Sequence, residues 1–490
     1  MPSDIVIHDA YVLTVNDSNQ LYERGTLRID DGRITDVRTT ENEDAIADAD
    51  HVIDGDGMVA MPGLVNTHTH LELTPLIGAF SDLGLLEMMG GMTAIYGHIA
   101  DGEYDYLTEA GYKLAALNFL NGGVTTVNSM DVRPSYGAET FGDAGLRGFF
   151  GVAVSDLFWD VPTDEQFERA RAFIDEHHNT YDGRIRATIC PHDDWSCTRD
   201  VWERTATLTT EYPDLPVHTH LLELEESNTM ARSNGASDSL DLLDEVGLLN
   251  EQLVAAHFRL ADDDDIQRTA NANASVAHCP SVFAYWNPDG DIQWTPVPEL
   301  RDAGVDVGIG IDDHYWHDSY SMFGEARQAR LAANLKRSTG QYNSMELVRM
   351  LTIEGARTLG IGDEIGSLEP EKRADVILLN VEKPKFTPLT NIPAHIVNNA
   401  APADVEAVIV DGEIVMQDNV VKTMDADGVR EAVETAVERF DAETDWDLGL
   451  GGSTPPSELE ITRDLPKRGP AQLLGRLAFQ SVKDQFPFSI

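Results

Sequence analysis

The chain has 490 residues, 42% of them hydrophobic, with 85 acidic against 35 basic side chains and a formal net charge of −50. The apolar content is enough for a large core and excludes disorder, while acids scattered along the whole chain exclude nucleic acid and anionic membranes as partners. No run of about 18 apolar residues predicts a membrane span, and Cys190, Cys197 and Cys279 have neither zinc-ribbon spacing nor a disulfide pattern.

The first sixty residues predict short strands at 5–7, 11–14, 25–29 and 33–37, separated by Asn, Asp and Gly. No basic residue precedes an apolar block at the N-terminus, so no signal peptide is expected and the cytoplasm is the expected location. Further strands are predicted at 58–68, 123–130, 147–154, 185–191, 216–221, 253–258, 275–279 and 306–311. Helices are predicted between most of them, at 104–121, 163–178, 198–211, 262–273 and 320–336. A second β-rich stretch covers 374–379 and 405–412. A helix is predicted over 426–440, and beyond Asp447 the chain becomes Gly/Pro/Ser-rich and relatively basic, with no assignable role. Eight strands alternating with helices predict an α/β chain built as a (β/α)8 TIM barrel, with a small β-sandwich formed from both chain ends. The expected division is 1–60 and 363–425 for the sandwich, 61–362 for the barrel and 426–490 for a C-terminal helix and tail.

Many predicted strands end in a residue able to bind a metal or move a proton. The first ends at His68 and His70, which share one face of a strand because residues i and i+2 do. Others end at Cys190-Pro191-His192, His218-Thr219-His220, His257, His278-Cys279 and Asp312-Asp313. Buried polar groups carry a desolvation cost, so packing alone explains this recurrence poorly.

The segment Pro62-Gly63-Leu64-Val65-Asn66-Thr67-His68-Thr69-His70 resembles the amidohydrolase superfamily. So do Cys190-Pro191-His192, His220-Leu221-Leu222-Glu223, Ala256-His257, Ala277-His278-Cys279-Pro280, Gly310-Ile311-Asp312 and Gly366-Ser367-Leu368-Glu369 with Ala374-Asp375. The resemblance covers residues 1–425. It is most similar to the branch of S-adenosylhomocysteine and 5′-methylthioadenosine deaminases, guanine deaminases and triazine hydrolases. It implies that His68, His70, His220 and Asp312 hold one divalent metal ion per chain, zinc or, as the alternative, iron. Such an ion lowers the pKa of water from 15.7 towards about 7. Asp312 would also accept that water's proton, Glu223 would shuttle protons to a ring nitrogen and leaving group, and His257 would orient the attacking water. His192 resembles a substrate-binding histidine, and His278 is read as substrate-side or supporting. His218 competes with His220 for the ligand role. The resemblance places the ligand three residues before the glutamate, which implies His220 and leaves His218 as a hydrogen-bonded interior histidine. Asp313, His314 and His317 crowd the last loop, as pocket or solvated residues.

Binuclear members of the superfamily use a strand-four lysine, and here Lys113, in a helical pattern, is the only lysine before Lys336. One metal is therefore expected. The loops depart from the branch at Asp193-Asp194-Trp195, at 280–286 and at Asp313-His314-Tyr315-Trp316-His317. These loops shape a barrel pocket, so the metal chemistry is expected to stand while the pocket is rewritten. The expected function is hydrolysis of a C–N bond, deaminating an amino-substituted N-heterocycle of purine, nucleoside or pyrimidine type. The alternatives are a triazine-type hydrolase releasing chloride or alkylamine, a ring-opening cyclic amidohydrolase, and a catalytically inactive binding protein. The expected partner is a small-molecule substrate, with a homo-oligomer open. The composition also resembles proteins of salt-in halophiles, where salt screens charge over about 3 Å at 1 M.

Overall fold

The computed structural model describes residues 4–40, 49–158, 160–285, 293–317, 319–336 and 340–457. Five strands come first: β1 (Ile5–Leu13), β2 (Leu21–Asp30), β3 (Arg33–Thr39), β4 (His51–Asp54) and β5 (Met58–Pro62). Nine follow, interleaved with helices: β6 (Leu64–Thr69), β7 (Val124–Asp131), β8 (Arg147–Val154), β9 (Ile185–Ala187), β10 (Cys190–Pro191), β11 (Val217–Leu221), β12 (Leu253–His257), β13 (Ser275–His278) and β14 (Val307–Ile309). Then come β15 (Val376–Asn380), β16 (Val405–Val410), β17 (Glu413–Gln417), β18 (Val420–Val421), a terminal helix (Ala426–Glu443) and the hairpin β19 (Asp447–Gly449) and β20 (Gly452–Thr454). No helix among the described residues is long and apolar enough to cross a membrane.

The run predicted as one strand over 58–68 is two strands in two sheets. Pro62 has no N–H for a ladder, and the Gly63 N–H turns to the Asp375 carbonyl at 3.0 Å. A Cβ on Gly63 would lie 2.2 Å from Thr125 Oγ1, so only glycine passes here. Before the crossing, β5 pairs antiparallel with β15; after it, β6 pairs parallel with β7.

The interleaved strands form two parallel sheets, β10-β8-β7-β6 with β9 beside β8, and β11-β12-β13-β14. Parallel bridges Ile189–Val217 and Asp193–His220 link one pair of margins, and Thr69–Asp312 links the other. The carboxyl ends of β6, β10, β11, β12 and β14 therefore converge, which brings the polar strand ends together. The strands predicted at 123–130, 147–154 and 216–221 are close to those observed, and the strand predicted at 185–191 is broken into β9 and β10.

Both chain ends do combine, but as one mixed nine-stranded sheet, because β5 lies between β15 and β1. Ile5, Ile7, Leu27, Ile29, Val376, Leu378 and Ile409 pack together on one face. Val59, Met61, Ile377, Leu379 and Val408 join the main core from the other. At the start of β8, buried Arg147 reaches Asp375 at 3.2 Å and Asp411 at 2.8 Å. This pairing matters because an unpaired buried charge costs several kcal/mol, about 3–5 when one partner is removed.

The helix predicted over 104–121 is Asp105–Gly122, ended by Gly123 at φ 74°. No helix is predicted over the preceding segment, yet Leu85–Ala100 is one. Gly90, Gly91 and Gly97 hide it, since each interior glycine costs about 1 kcal/mol against alanine. Most of the expected tail, beyond residue 457, lies outside the described residues, as does Trp286 of the strand-seven loop.

Candidate active site

At the end of β6, His68 and His70 are both buried. His70 Nδ1 donates to the Met130 carbonyl at 2.5 Å, and His220 Nδ1 donates to the His192 carbonyl at 2.6 Å. A carbonyl can only accept, so each ring presents a bare Nε2 lone pair. Those two Nε2 atoms lie 3.1 Å apart. His68 Nδ1 and His218 Nε2 are 2.8 Å apart, while the buried His68 Nε2 has no hydrogen-bond partner. Asp312 Oδ1 completes the group, 3.4 Å from His68 Nε2 and 3.6 Å from His70 Nε2. Burial pushes His68, His218, His220 and His257 well below the usual imidazole range, so protonation does not relieve the facing lone pairs. A divalent cation fits. The three histidine nitrogens lie within 4.8 Å of one another, and the orphaned His68 Nε2 gains a partner. His218, left by the sequence as an interior histidine, bonds the far nitrogen of His68, as a residue orienting a ligand does.

Strand alternation alone would misplace two other groups. The β11–β12 register pairs His220 with Ala256 and Leu221 with His257. His220 and Ala256 face inward, which would turn His257 outward. Instead His257 has φ 72°, and Leu222, just before Glu223, has φ 49°. These left-handed bends, each costing about 1–3 kcal/mol, turn both side chains towards the ligand group. His257 Nε2 lies 3.6 Å from Asp312 Oδ2 and 3.9 Å from Glu223 Oε1. Trp195 Nε1 donates to Glu223 Oε2 at 3.1 Å. Burial, reinforced by the Asp312 charge, pushes the Glu223 carboxyl well above the usual carboxylate range.

The Asp193-Asp194-Trp195 departure acquires a purpose here. Asp194 Oδ2 accepts from the Leu222 N–H at 3.0 Å and its Oδ1 from the Ser227 hydroxyl at 2.7 Å, pinning the bend before Glu223. Burial pushes Asp194 up to about 6. Asp193 receives His192 Nδ1 and the Trp195 N–H. His192 stacks on Phe158, with ring centroids 5.2 Å apart.

A cavity of about 580 Å³ opens above these groups, lined by His70, His192, Trp195, His220, Glu223, His257, Asp312 and Asp313. Its other walls are Met89, Met92 and Tyr96 of the unpredicted helix, with Met130, Asp131, Val132, Ala153, Phe158 and Trp316. None of the described lining residues is Lys or Arg. The 89, 92, 96 spacing marks one helical face. That spacing is the signal that could have revealed these walls, had the glycines not obscured the helix.

His278 does not reach this cavity, which corrects its reading as a substrate-side residue. Ala277 and Cys279 belong to clusters facing the strand interior and the site, so alternation sends His278 the other way. Its Nδ1 bonds Thr295 Oγ1 at 3.0 Å, and that hydroxyl donates to the His257 carbonyl at 2.5 Å. His278 thus supports the bent backbone of His257 and lines a separate hollow of about 340 Å³. Asp313 faces the cavity and accepts from the Tyr315 hydroxyl at 2.5 Å. His314 and His317 are buried against Thr74 Oγ1 (3.0 Å) and the Ile311 carbonyl (3.1 Å), so they are not solvated loop residues.

Histidine nitrogens and a carboxylate around a cation site, beside a buried carboxyl that can carry a proton, define a metal-dependent hydrolase. The sequence profile of the amidohydrolase family matches residues 59–415. The chain belongs to the amidohydrolase family. It is 35% identical over 416 residues to a 5′-deoxyadenosine deaminase of Methanothermobacter thermautotrophicus, covering 84% of this chain and 94% of that one. It is 33% identical over 417 residues to a 5-methylthioadenosine/S-adenosylhomocysteine deaminase of Symbiobacterium thermophilum, with the same coverage. Among solved structures, an adenosine deaminase from Xanthomonas campestris with bound zinc superposes with a TM-score of 0.81 at 26% identity, covering 90% of this chain and 99% of the other.

Proposed function

We propose that this chain is a mononuclear zinc deaminase acting on the amino group of an adenine nucleoside whose 5′ position is uncharged. The observation that carries the reading is Glu223, buried, held by Trp195 and facing His257 and Asp312 beside the three ligand histidines. His68, His70, His220 and Asp312 would hold the ion. Bound there, a divalent ion would supply hydroxide at neutral pH. Protonated Glu223 would give its proton to the ring nitrogen beside the amino-bearing carbon, making that carbon the electrophile for the attacking oxygen. The proton released by the water passes to Asp312, and His257 holds the attacking oxygen in line. The Glu223 carboxylate would then take the hydroxyl proton of the adduct and pass it to the amino group, so that the C–N bond breaks, a carbonyl forms and ammonia leaves, and the proton on Asp312 would return to Glu223. His192, stacked on Phe158, would bind the substrate.

The zinc-bound relative supports zinc over iron. The strand-four lysine of binuclear members has no counterpart here, and Lys113 lies on the helix Asp105–Gly122 with its Nζ 2.5 Å from Glu109, which supports a single ion. The curated relatives support an adenosine-type substrate. The methionine and aromatic walls, with no cation lining them, support an uncharged one. The margin bridges support closure of the two parallel sheets into a (β/α)8 barrel spanning about residues 61–362. On that division, 1–60 and 363–425 carry the strands of the small mixed sheet, and the C-terminal segment begins with the helix Ala426–Glu443.

Zinc-loaded protein in concentrated KCl should release ammonia from 5′-deoxyadenosine, 5′-methylthioadenosine and adenosine, and far less from the 5′-phosphate. Absence of ammonia from all three nucleosides would end this reading. The net charge of −50 supports function in concentrated salt. Tm should climb steeply between about 0.2 M and about 3 M KCl as screening shortens, and a flat profile would reject that part.

A further inference from the structure

We infer that Trp446, on the C-terminal segment that follows the small sheet, is a positioning residue for the substrate cavity. It holds the cover helix Leu85–Ala100 so that Met89, Met92 and Tyr96 face inward. The inference rests on that cavity being the substrate site.

The terminal helix Ala426–Glu443 lies against Asp105–Gly122. There Arg439 sits 3.8 Å over the Tyr106 ring, and the Tyr106 hydroxyl donates to Glu443 at 3.3 Å. Phe440 is fully buried, 5.5 Å from the Tyr104 ring. The chain then turns, and Trp446 enters the apolar cluster that contains Met88, Met89, Met92, Ile95 and Tyr96. Its indole is only 6% exposed and lies 5.3 Å from the Phe80 ring. The following hairpin is tied down where the Ser453 hydroxyl donates to the Ala79 carbonyl.

The contact with the cover helix falls on Gly91. A Cβ built there would lie 2.9 Å from Trp446 Cζ2 and 3.2 Å from Cη2. The indole therefore rests on bare helix backbone, which gives a reason for a glycine that weakens the helix. At about 100° per residue, Met92 and Tyr96 project roughly 100° and 140° around the axis from Gly91, and Met89 roughly 160°. The cover helix is thus held between two surfaces, with the cavity on one side and the indole nearly opposite. Phe80 extends the contact, its ring 5.6 Å from that of Tyr315, which bonds cavity residue Asp313. A loose cover would leave the metal ligands untouched, because they belong to strand ends. It would weaken the grip on the substrate's apolar part.

The test uses the full chain, zinc-loaded, with 5′-deoxyadenosine as probe. Trp446→Ala should raise KM about tenfold, with kcat changed less than about threefold and zinc content unchanged; Trp446→Phe should recover most of the loss. Amide hydrogen exchange over 85–100 should speed up about tenfold or more in Trp446→Ala, with Arg199–Glu211 unaffected. Gly91→Ala covers the case in which the tryptophan variant folds poorly. Alanine ordinarily favours a helix, so a rise in KM there can come only from the indole contact. If exchange over 85–100 matches wild type in both variants, the inference is overturned. So it is if KM stays put, or if kcat and zinc fall together. An inactive wild type would instead count against the deaminase reading, and exchange would still decide the role of Trp446.

Discussion

The floor of the cavity and its cover are held by different means. The floor is locked by hydrogen bonds: the Met130 and His192 carbonyls set the tautomers of His70 and His220, and His68 Nδ1 is paired with His218 Nε2. The cover is a glycine-containing helix whose methionines meet the cavity through packing, with one hydrogen bond, 3.3 Å, between the hydroxyls of Tyr96 and Tyr315. A hydrogen-bonded floor fixes which nitrogen faces the ion, so the chemistry tolerates little change there. A packed cover, built partly from flexible thioethers, can be reshaped one side chain at a time. On the proposed function, reaction and specificity would be physically separable in this molecule.

The largest test of that separation removes a ligand. His70→Ala or Asp312→Ala should abolish both metal content and turnover. Elemental analysis showing one ion per chain in an inactive Asp312→Ala would break the assignment. Next comes Glu223→Gln, which keeps shape and hydrogen-bonding reach but cannot cycle a proton. Turnover should fall by roughly 10²–10⁴ with metal retained, whereas His220→Asn loses both. The reverse pattern would move the ligand role to His218. A smaller effect is expected below the floor. His218→Phe should weaken zinc binding by roughly 10–100-fold in a chelator competition, and an unchanged affinity would make it a packing residue. The smallest effect belongs to the cover. Met92→Ala should raise KM roughly three- to tenfold at near-normal kcat, and an equal loss in kcat would mean that floor and cover are not separable.

How much of this could be read from the chain depended on how each side chain is aimed. His68, His70 and His220 follow the two-residue period of a strand, and that pattern is visible in sequence. Glu223 and His257 depend on left-handed φ at Leu222 and at His257 itself, which no periodicity encodes; the strand-end pattern marked His257, and the family resemblance supplied the roles of both. His278 follows alternation to the outside, which leaves the supporting half of its reading and removes the substrate-side half. The family was legible, and the curated relatives agree with it. The cover was not, because Gly90, Gly91 and Gly97 suppress the helix signal and Trp446 lies far along the chain from the helix it touches. The small sheet was legible as two β-rich ends. Its continuity was not, since the crossing at Gly63 requires knowing that Thr125 leaves no room for a side chain.

That crossing also sets an order in time. β5 is flanked by β1 and by β15, and Pro62 stands opposite Val376. A ribosome adding about 5–20 residues per second needs roughly 15–60 s to reach β15 after β5 emerges. Throughout that interval one edge of the first sheet carries unsatisfied backbone groups, the kind of edge on which stray strands assemble. The nascent chain is thus most exposed to mispairing at its oldest part, and the seam that ends the exposure is among the last pieces to be made.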